Sequence, residues 1–403
     1  MPALLDTTRT VVEDSISHGN YSPALIIKST RRCNLRCTYC TDYRVTEQEV
    51  FDIELMAELL TKLSDDPAIS SVHFIWHGGE PLIKGQSFYR KLAFLQQRLL
   101  AEKDKKFTNS VQTNGVMASE KWGRFFRDFG YNVGVSLDGP AEIQNRKRPM
   151  AVKGRGSFDA ATKGLRVLQD HDVKAGVLTV VSQEVLDIGA QEMYQFFKES
   201  GLPKICLLWM RGDFSSKEES LRYNRDYGDF MVEIMNLWLS DDDPSFQIRE
   251  IESKLDRLFG LPQRLCKDGG ACVGKYYGLE NDGTVWHCDK FLGDERFKVG
   301  NIRDARISEL AGSDRMKSIA RFEAETRNGC EPCKWFDLCQ GGCLSDLLIL
   351  HKDEGEIGTD DCWHFKLYES MSEMLANSPT VLEAALEYQR QLEAPEQTLC
   401  ELG

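Results

Sequence analysis

The sequence predicts an α/β fold in which an open, partial barrel of six βα units precedes a cysteine-rich second domain. Three observations lead to this prediction. Short β-branched or apolar runs alternate with helix-like stretches from residue 24 to residue 240. The alternation stops near residue 241, where loop-rich sequence begins. Of the 13 cysteines, three lie within 33–40 and eight within 266–362.

Six runs are predicted to be strands: Ala24–Ser29, Ser71–His77, Ser110–Thr113, Asn132–Leu137, Gly176–Val181 and Ile205–Met210. Between them, apolar residues recur at helical spacing, and the first helix is expected to begin after Asp52, a suitable N-cap. Further helices are predicted over 87–104, 118–129, 158–170, 188–200 and 218–240. Such alternation forms right-handed βαβ units and a parallel sheet. Six units are too few for a closed eight-stranded barrel, so we predict a partial (β/α)6 TIM-type barrel.

Composition excludes several classes of protein. The chain has 403 residues with 63 acidic and 50 basic side chains, and its net charge is −13. No basic excess is available to neutralise phosphates, so nucleic acids and anionic membranes are not expected partners. No apolar run approaches the roughly 18 residues of a membrane span, and the N-terminus lacks a secretion signal. We therefore expect a cytoplasmic protein, in which an odd number of clustered cysteines favours metal binding over disulfides.

These patterns divide the chain into five segments. We predict an N-terminal extension over 1–22, the barrel over 23–240, a linker over 241–265, the cysteine-rich domain over 266–365 and a helical tail over 366–403. Two cysteines lie outside the groups. Cys206, in an apolar strand, is expected to be a small core residue, and Cys400 is expected to have no role.

Three loops at the ends of predicted strands carry glycine and polar residues. They cover 77–81, 112–115 and 136–140. Parallel α/β folds bind ligands at the carboxyl ends of their strands. Glycine and aspartate could simply form tight turns in any one of these loops. Three of them on successive strands, beside a cysteine group, favour a ligand site.

Cys33, Cys37 and Cys40 directly follow the first predicted strand. Three thiolates in one loop can hold three corners of a 4Fe–4S cube and leave the fourth iron open to a chelating ligand. Structural zinc is the alternative, but it takes four ligands, usually in two pairs. No fourth ligand is close in the sequence.

The spacing of these cysteines, with Tyr39 before the last of them, resembles that of radical S-adenosylmethionine (SAM) enzymes. The resemblance implies that the open iron chelates the amino and carboxylate groups of SAM. Reductive cleavage of SAM would then give a 5′-deoxyadenosyl radical that abstracts a hydrogen atom from the substrate.

The same resemblance implies roles for the residues of the loops. Gly78, Gly79 and Glu80 would contact the SAM amino group, Ser136 and Asp138 would lie near the ribose, Tyr39 would lie against the adenine, and Arg148 would lie near the carboxylate. Arg148 belongs to the basic run 145–148, so either arginine of that run could serve, or the run could be solvated surface.

Eight cysteines form the second group: Cys266, Cys272, Cys288, Cys330, Cys333, Cys339, Cys343 and Cys362. They can complete two four-thiolate iron–sulfur clusters, or two zinc sites. The pattern is similar to the SPASM extension of radical SAM enzymes. That resemblance implies one auxiliary cluster at Cys266, Cys272, Cys288 and Cys343 and another at Cys330, Cys333, Cys339 and Cys362. The expected cofactors are therefore three 4Fe–4S clusters and SAM.

Auxiliary clusters with four thiolate ligands cannot bind SAM, so electron transfer is their expected work. A substrate radical that loses one electron to such a cluster becomes a two-electron oxidised product. Structural stapling of a loop-rich domain is the alternative.

Among SPASM enzymes, residues 24–365 resemble the anaerobic sulfatase-maturating enzymes. Asp289, directly after Cys288, matches their proposed proton acceptor, although it could be a surface aspartate beside a cluster. Three features depart from that group: Thr41-Asp42, Leu344-Ser345-Asp346 and His77. His77 before Gly78 looks more like SPASM enzymes that crosslink side chains in ribosomal peptides. These departures favour a different substrate with the same radical chemistry.

We therefore expect a peptide maturase, an oxidoreductase that crosslinks or similarly oxidises a side chain of a ribosomal precursor peptide (RiPP). A sulfatase maturase converting Cys or Ser to formylglycine is the alternative, and a small-molecule dehydrogenase comes third. A non-enzymatic iron–sulfur electron carrier or a zinc-stabilised binding protein belongs to a different class, but a carrier needs no SAM site.

The expected partners follow from this function. With the first cluster motif at residue 33, we expect the peptide or protein substrate to bind the barrel and SPASM domain directly or to arrive with a separate peptide-recognition protein. The resemblance also implies an electron donor such as flavodoxin or ferredoxin.

Overall fold

The computed structural model describes residues 12–40, 51–152, 155–212, 214–262, 264–268, 272–350 and 357–377, together with Thr380, Glu383 and Glu387. Thr41-Asp42 and Cys400 therefore lie outside the described residues. The chain divides into two compact units. Unit 1 comprises Met1–Leu137, Gln144–Ala175 and Ala271–Glu325, and unit 2 comprises Asp138–Ile143, Gly176–Gly270 and Thr326–Gly403.

Ten strands are present in the described residues. They are β1 (Ala24–Thr30), β2 (Ser71–Gly78), β3 (Lys106–Thr113), β4 (Asn132–Ser136), β5 (Ala175–Val181), β6 (Lys204–Trp209), β7 (Gln247–Ile248), β8 (Tyr276–Leu279), β9 (Thr284–His287) and β10 (Lys298–Asn301). The first six confirm the six predicted strands to within a few residues.

A helix over 12–17 precedes β1. The α-helices from residue 53 to residue 377 lie between the strands up to β8 and then after β10. They are α1 (Ile53–Ser64), α2 (Gly85–Leu99), α3 (Glu120–Asp128), α4 (Ala141–Lys147), α5 (Phe158–Gln169), α6 (Gln183–Glu199), α7 (Lys217–Asp241), α8 (Arg249–Leu258), α9 (Ile307–Ala311), α10 (Asp314–Arg327), α11 (Phe336–Cys339), α12 (Leu344–Leu350) and α13 (Trp363–Asn377). Asp52 caps α1 as predicted, because its side chain accepts a hydrogen bond from the Leu55 amide at 2.7 Å.

Unit 1 contains a sheet in the order β10-β9-β8-β1-β2-β3-β4. Strands β1 to β4 are parallel, as the βαβ pattern predicts. The sequence did not predict that β8 pairs with β1, also in parallel, with Ala24 opposite Tyr276. β9 then returns antiparallel to β8. The first strands of the cysteine-rich region thus extend the barrel sheet, and β9 ends at His287 beside Tyr277, which lies opposite Leu25 near the start of β1.

Unit 2 contains β5, β6 and β7, which are parallel to one another. The predicted linker 241–265 holds β7 and α8, and residues 249–256 of α8 are all buried although five of them carry charges. Cys206 on β6 is 5% exposed, which confirms the core position expected for it. Among the described residues, no helix is both long enough and apolar enough to span a membrane.

Candidate active site and iron–sulfur sites

The loop that follows β2 pairs with the loop that leads to Cys33. The Gly79 amide donates to the Thr30 carbonyl at 2.7 Å, and the Glu80 amide donates to the Arg32 carbonyl at 2.8 Å. Gly79 must be glycine because a Cβ there would collide with the backbone carbonyl of Arg32. Gly78 has φ +126° and faces the Thr30 carbonyl in the same way. Two of the predicted SAM residues therefore lie directly against the first cysteine loop.

Glu80 is completely buried and ties the β2 loop to the end of β3. Its carboxylate accepts hydrogen bonds from the Thr113 hydroxyl at 2.8 Å and from the Asn114 amide at 2.8 Å. It also accepts one from the Leu82 amide at 3.0 Å. Burial raises the pKa of Glu80, and the hydrogen bonds partly oppose that rise. Glu80 thus fixes two of the three glycine-containing loops relative to each other.

Hydrogen-bond donors surround the first of the three loop cysteines. The Leu35 amide donates to Cys33 Sγ at 3.4 Å, and the Asn114 side-chain amide lies 3.8 Å from the same sulfur. Burial, with smaller contributions from Glu80 and Cys40, raises the pKa of the Cys33 thiol to about 11. N–H donors aimed at sulfur suit a thiolate, and metal binding would displace the proton of a high-pKa thiol. The donor set therefore fits an iron–sulfur cluster at Cys33, Cys37 and Cys40.

Tyr39 and Arg148 stack on each other. The guanidinium carbon of Arg148 lies 5.3 Å from the centre of the Tyr39 ring, and Arg148 is 9% exposed. The backbone after α4 pairs with the cysteine loop, since the Thr38 amide donates to the Lys147 carbonyl at 2.9 Å. Arg146 is exposed. Of the two arginines that the sequence left open, Arg148 is the one that lies at the cysteine loop.

Ser136 and Asp138, the predicted ribose residues, are both held by hydrogen bonds. In unit 1, Ser136 Oγ accepts from the Gln112 side chain at 2.9 Å. In unit 2, the buried Asp138 accepts from the Val180 amide at 3.1 Å. Their role towards SAM stays a prediction.

Lys28, His77 and Asp289 form a hydrogen-bonded group at the carboxyl edge of the unit 1 sheet. Lys28 is 3% exposed, and its Nζ lies 3.0 Å from His77 Nδ1 and 3.3 Å from Asp289 Oδ2. The Gly78 amide also donates to His77 Nδ1, at 2.8 Å. An ammonium and an amide can only donate, so Nδ1 accepts both bonds and the proton of the neutral imidazole is on Nε2.

Charge in this group keeps Asp289 ionised. Burial alone would raise the pKa of Asp289, but the charge of Lys28 and its hydrogen bond, together with the charge of Lys290, hold that pKa well below its usual range. Sequence reasoning did not identify Lys28, although a lysine inside the apolar run Ala24–Ser29 is a signal that could have found it. In the structure, Lys28 lies opposite His77 on β2.

The backbone turns sharply at Cys288 to present Asp289. Cys288 has φ +65° and ψ 154°, which a non-glycine residue rarely adopts and which costs about 1–3 kcal/mol. The absence of a side chain at Gly278 on β8 makes room for the turn, since a Cβ there would lie 3.0 Å from the Cα of Asp289. The sequence placed Asp289 beside a cluster ligand but could not show that it would face Lys28.

A second group of possible ligands lies in unit 1. One ligand atom each of Cys272, His287 and Glu323 lies within 4.8 Å of the others, and Cys272 Sγ is 3.7 Å from Glu323 Oε1. His287 is fully buried and stacks on Phe291 with ring centroids 5.7 Å apart. Neither His287 nor Glu323 is among the ligands that the sequence predicted. Both lie beside a predicted ligand of the first auxiliary cluster.

Unit 2 holds a cavity lined by five cysteines: Cys330, Cys333, Cys339, Cys343 and Cys362. Burial and the mutual repulsion of neighbouring thiolates raise the pKa of Cys330, Cys339 and Cys362 to about 11. The structure thus brings together the four cysteines predicted for the second auxiliary cluster, with Cys343 beside them. Soft sulfur ligands facing one cavity fit an iron–sulfur cluster.

Two family models match the chain over the regions just described. Residues 27–197 match the radical SAM superfamily, and residues 272–339 match the SPASM iron–sulfur cluster-binding domain. The chain belongs to the radical SAM superfamily and is an enzyme with a SPASM domain. It therefore binds SAM and a 4Fe–4S cluster, with further iron–sulfur binding in the SPASM domain.

The chain is similar over most of its length to enzymes that modify peptides or proteins. The chain is 30% identical to a cysteine-type anaerobic sulfatase-maturating enzyme of Clostridium novyi over 329 residues, which are 79% of this chain and 87% of that protein. Its fold is similar to native anSMEcpe with bound AdoMet, with a TM-score of 0.77, 25% identity, and coverage of 90% and 99% of the two chains. SuiB of Streptococcus suis is similar in fold alone, with a TM-score of 0.58, 13% identity, and coverage of 88% and 79%.

Proposed function

We propose that this enzyme oxidises a side chain of a peptide substrate, and that the product is a crosslink or similar oxidation in a ribosomal precursor peptide. One observation carries the proposal. The carboxylate of Asp289 lies at the same sheet edge of unit 1 as the Gly78-Gly79 loop and the Cys33 loop, through its contact with Lys28 beside His77. A proton acceptor beside a SAM site suits a two-electron oxidation in which the radical removes a hydrogen atom from a carbon and a neighbouring group of the substrate, such as a thiol or hydroxyl, loses a proton.

Cys33, Cys37 and Cys40 would hold the first cluster, and Gly78, Gly79, Glu80, Tyr39, Ser136, Asp138 and Arg148 would bind SAM. When bound, SAM and the clusters supply a radical that removes one hydrogen atom from the substrate and acceptors that remove one further electron. Three clusters in total follow if the eight cysteines of the second group divide as the resemblance implies.

Asp289 would take the proton that leaves as the substrate radical is oxidised. Its carboxylate is ionised, because the ammonium of Lys28 lies 3.3 Å away, and it is 23% exposed and so accessible to a substrate group. The balance is complete: the substrate loses two hydrogens, one as an atom to the radical and one as a proton to Asp289 plus an electron to an auxiliary cluster.

Two features support crosslinking over formylglycine formation. His77 departs from the sulfatase maturases, and Lys28 and the Gly78 amide hold it as the tautomer that carries its proton on Nε2. The segment after Cys343 also departs, and it carries Asp346, which lies 3.9 Å from Arg211 within unit 2. Both departures concern residues near the proposed cofactor sites, where substrate preference would be set.

Formylglycine formation is the second candidate, because the chain is 30% identical to a cysteine-type sulfatase maturase and covers 87% of its length. In that reaction, Asp289 would accept the proton of the substrate thiol, and water would replace the sulfur of the oxidised residue. We also propose two kinds of partner. The peptide substrate would bind directly or arrive with a separate recognition protein, and an electron donor such as flavodoxin or ferredoxin would reduce the first cluster.

The experiment is an anaerobic incubation of the reconstituted protein with SAM, dithionite and an 18-residue sulfatase-type peptide, made with Cys, with Ser, or with Ala at the target position. Deoxyadenosine is quantified, and each peptide is sequenced by tandem mass spectrometry. An aldehyde at Cys would establish the sulfatase alternative. Crosslinking would be supported by the loss of two hydrogens from the peptide, together with the absence of fragments from backbone cleavage between the two linked residues. Failure to form any deoxyadenosine would contradict both.

A further inference from the structure

Lys254 on α8 is a fully buried cation beside the cysteine cavity of unit 2. It is 0% exposed, and its Nζ lies 3.1 Å from Asp268 Oδ1, which is also 0% exposed. Its ammonium lies 4.5 Å from the ring centres of both Trp363 and Tyr368. Removing an ammonium from water costs several kcal/mol even after the protein relaxes, so a fully buried lysine needs a strong compensating interaction.

The partner of Lys254 on the cavity side is His364. Lys254 Nζ lies 2.8 Å from His364 Nδ1. Because an ammonium only donates, Nδ1 accepts, and the neutral imidazole carries its proton on Nε2.

The Nε2 edge of His364 faces the cysteine loop. A Cβ at Gly342 would collide with His364 Nε2, and Gly342 lies between Cys339 and Cys343 with φ +78°. His364 lines the same cavity as Cys330, Cys333, Cys339 and Cys362. The Asp268–Lys254 ion pair therefore contacts His364, and His364 in turn lies against the cysteine loop where a cluster would be bound.

We propose that Lys254 and His364 set the reduction potential of the auxiliary cluster held by Cys330, Cys333, Cys339 and Cys362. Lys254 is the positioning residue that orients His364, and His364 presents its Nε2–H to the cluster sulfurs. The proposal rests on the proposed function, because it needs a cluster at these four cysteines.

The physical reason is that reduction adds one electron to a cluster that is already anionic. A hydrogen-bond donor and a buried positive charge stabilise the reduced state more than the oxidised one, so they raise the reduction potential. A higher potential makes the cluster a better acceptor of the electron that leaves the substrate. Asp268 opposes this effect, since its Oδ1 lies 3.9 Å from His364 Nδ1, but Ser253 donates a hydrogen bond to its Oδ2 at 2.8 Å, which offsets part of that opposition.

The test measures potentials and needs no peptide substrate. In a background of Cys33→Ala/Cys37→Ala/Cys40→Ala, only auxiliary clusters remain, and their midpoint potentials are measured by redox titration followed by electron paramagnetic resonance. Lys254→Gln/Asp268→Asn removes the ion pair and keeps a donor to His364. Lys254→Met/Asp268→Asn also removes the donor, and His364→Phe keeps an aromatic ring but removes Nε2–H. Lys334→Met is the control, because Lys334 is 58% exposed although it follows Cys333.

In Lys254→Met/Asp268→Asn and in His364→Phe, we expect the midpoint potential of one auxiliary cluster to fall by at least about 59 mV. That shift corresponds to a tenfold change in the ratio of oxidised to reduced cluster. The Gln variant falls less, and the control does not change. Unchanged midpoints with full iron content would overturn the inference, as would loss of folded protein in every variant, because the residues would then act only on stability. A further variant adds Cys330→Ala to the background protein. If its iron content is unchanged, the cluster assignment of the proposed function fails, and the inference fails with it.

Discussion

The ammonium of Lys28 lies 3.3 Å from the carboxylate of Asp289, although 261 residues of chain separate them. The contact exists because β8 pairs with β1 and the chain after β9 folds back against Gly278 of β8. Gly278 lies opposite Ile26, so the long side chain of Lys28, two residues further along β1, reaches the carboxylate. The proposed catalytic carboxylate is thereby attached to the sheet that carries the proposed SAM loops. Lys28 keeps that carboxylate ionised and holds His77 with its proton on Nε2.

Asp289→Asn should reduce substrate oxidation about a hundredfold to ten-thousandfold, which is the usual contribution of a general base. The amide keeps the size of the side chain but cannot accept the proton at neutral pH. Deoxyadenosine should still form, because the SAM loops do not depend on Asp289. The ratio of deoxyadenosine to oxidised peptide measures this separation. Asp304→Asn is the control, since Asp304 is exposed. Equal losses of deoxyadenosine and product would argue against a proton-accepting role.

Lys28→Met should lower product formation about 10- to 100-fold, as expected for loss of one hydrogen bond between charged groups. The long apolar side chain fills the same space, while Asp289 and His77 lose their shared donor. Peptide KM and kcat are measured separately, because a positioning residue should affect kcat. Lys106→Met, at an exposed position at the start of β3, is the comparison. If both variants turn over like the wild type, Lys28 does not position the group.

Gly79→Ala should lower the iron content of the first cluster and abolish deoxyadenosine formation. The added Cβ would collide with the Arg32 carbonyl, one residue before Cys33, so the cysteine loop must move. Iron per chain and SAM cleavage are the two measurements. Gly312→Ala is the matched control, because its Cβ would lie 3.7 Å from the nearest atom. Normal iron and normal cleavage in Gly79→Ala would mean that the loop pairing is not needed.

Arg148→Ala should weaken SAM binding by about tenfold or more, whereas Arg146→Ala should leave it unchanged. Arg148 is 9% exposed and stacks on Tyr39, while Arg146 is exposed. Anaerobic equilibrium dialysis with labelled SAM gives both dissociation constants. The reverse order of effects would assign the carboxylate contact to Arg146 instead.

The sequence predicted those parts of the fold that depend on local patterns. The strand that begins at Ala24 and the cap at Asp52 were predictable, because period-two and helical spacing and N-cap chemistry act over a few residues. The pairing of Ala24 with Tyr276 was not, since a four-residue strand gives little signal and its partner is far away in sequence. Unit 1 combines residues 271–325 with the first barrel strands, and the five predicted segments stay a prediction.

The site was predictable to the same extent. Cys33, the glycines of the β2 loop and Asp289 carry motifs, and family resemblance named them. Lys28, Lys254 and Glu323 carry none, because their roles depend on which side chains the fold brings beside them. His364 could have been noticed two residues after Cys362, but nothing in the sequence connects it to Lys254.

The most direct test of the central claim is isotope transfer from substrate to deoxyadenosine. A peptide deuterated at the target side chain is incubated anaerobically with the reconstituted enzyme, SAM and dithionite, and the deoxyadenosine is analysed by mass spectrometry, with Cys37→Ala as the control. We expect deuterium in the deoxyadenosine, one deoxyadenosine for each oxidised side chain, and neither product from Cys37→Ala. Oxidised peptide with deoxyadenosine that contains no deuterium, or deoxyadenosine from Cys37→Ala, would contradict the account.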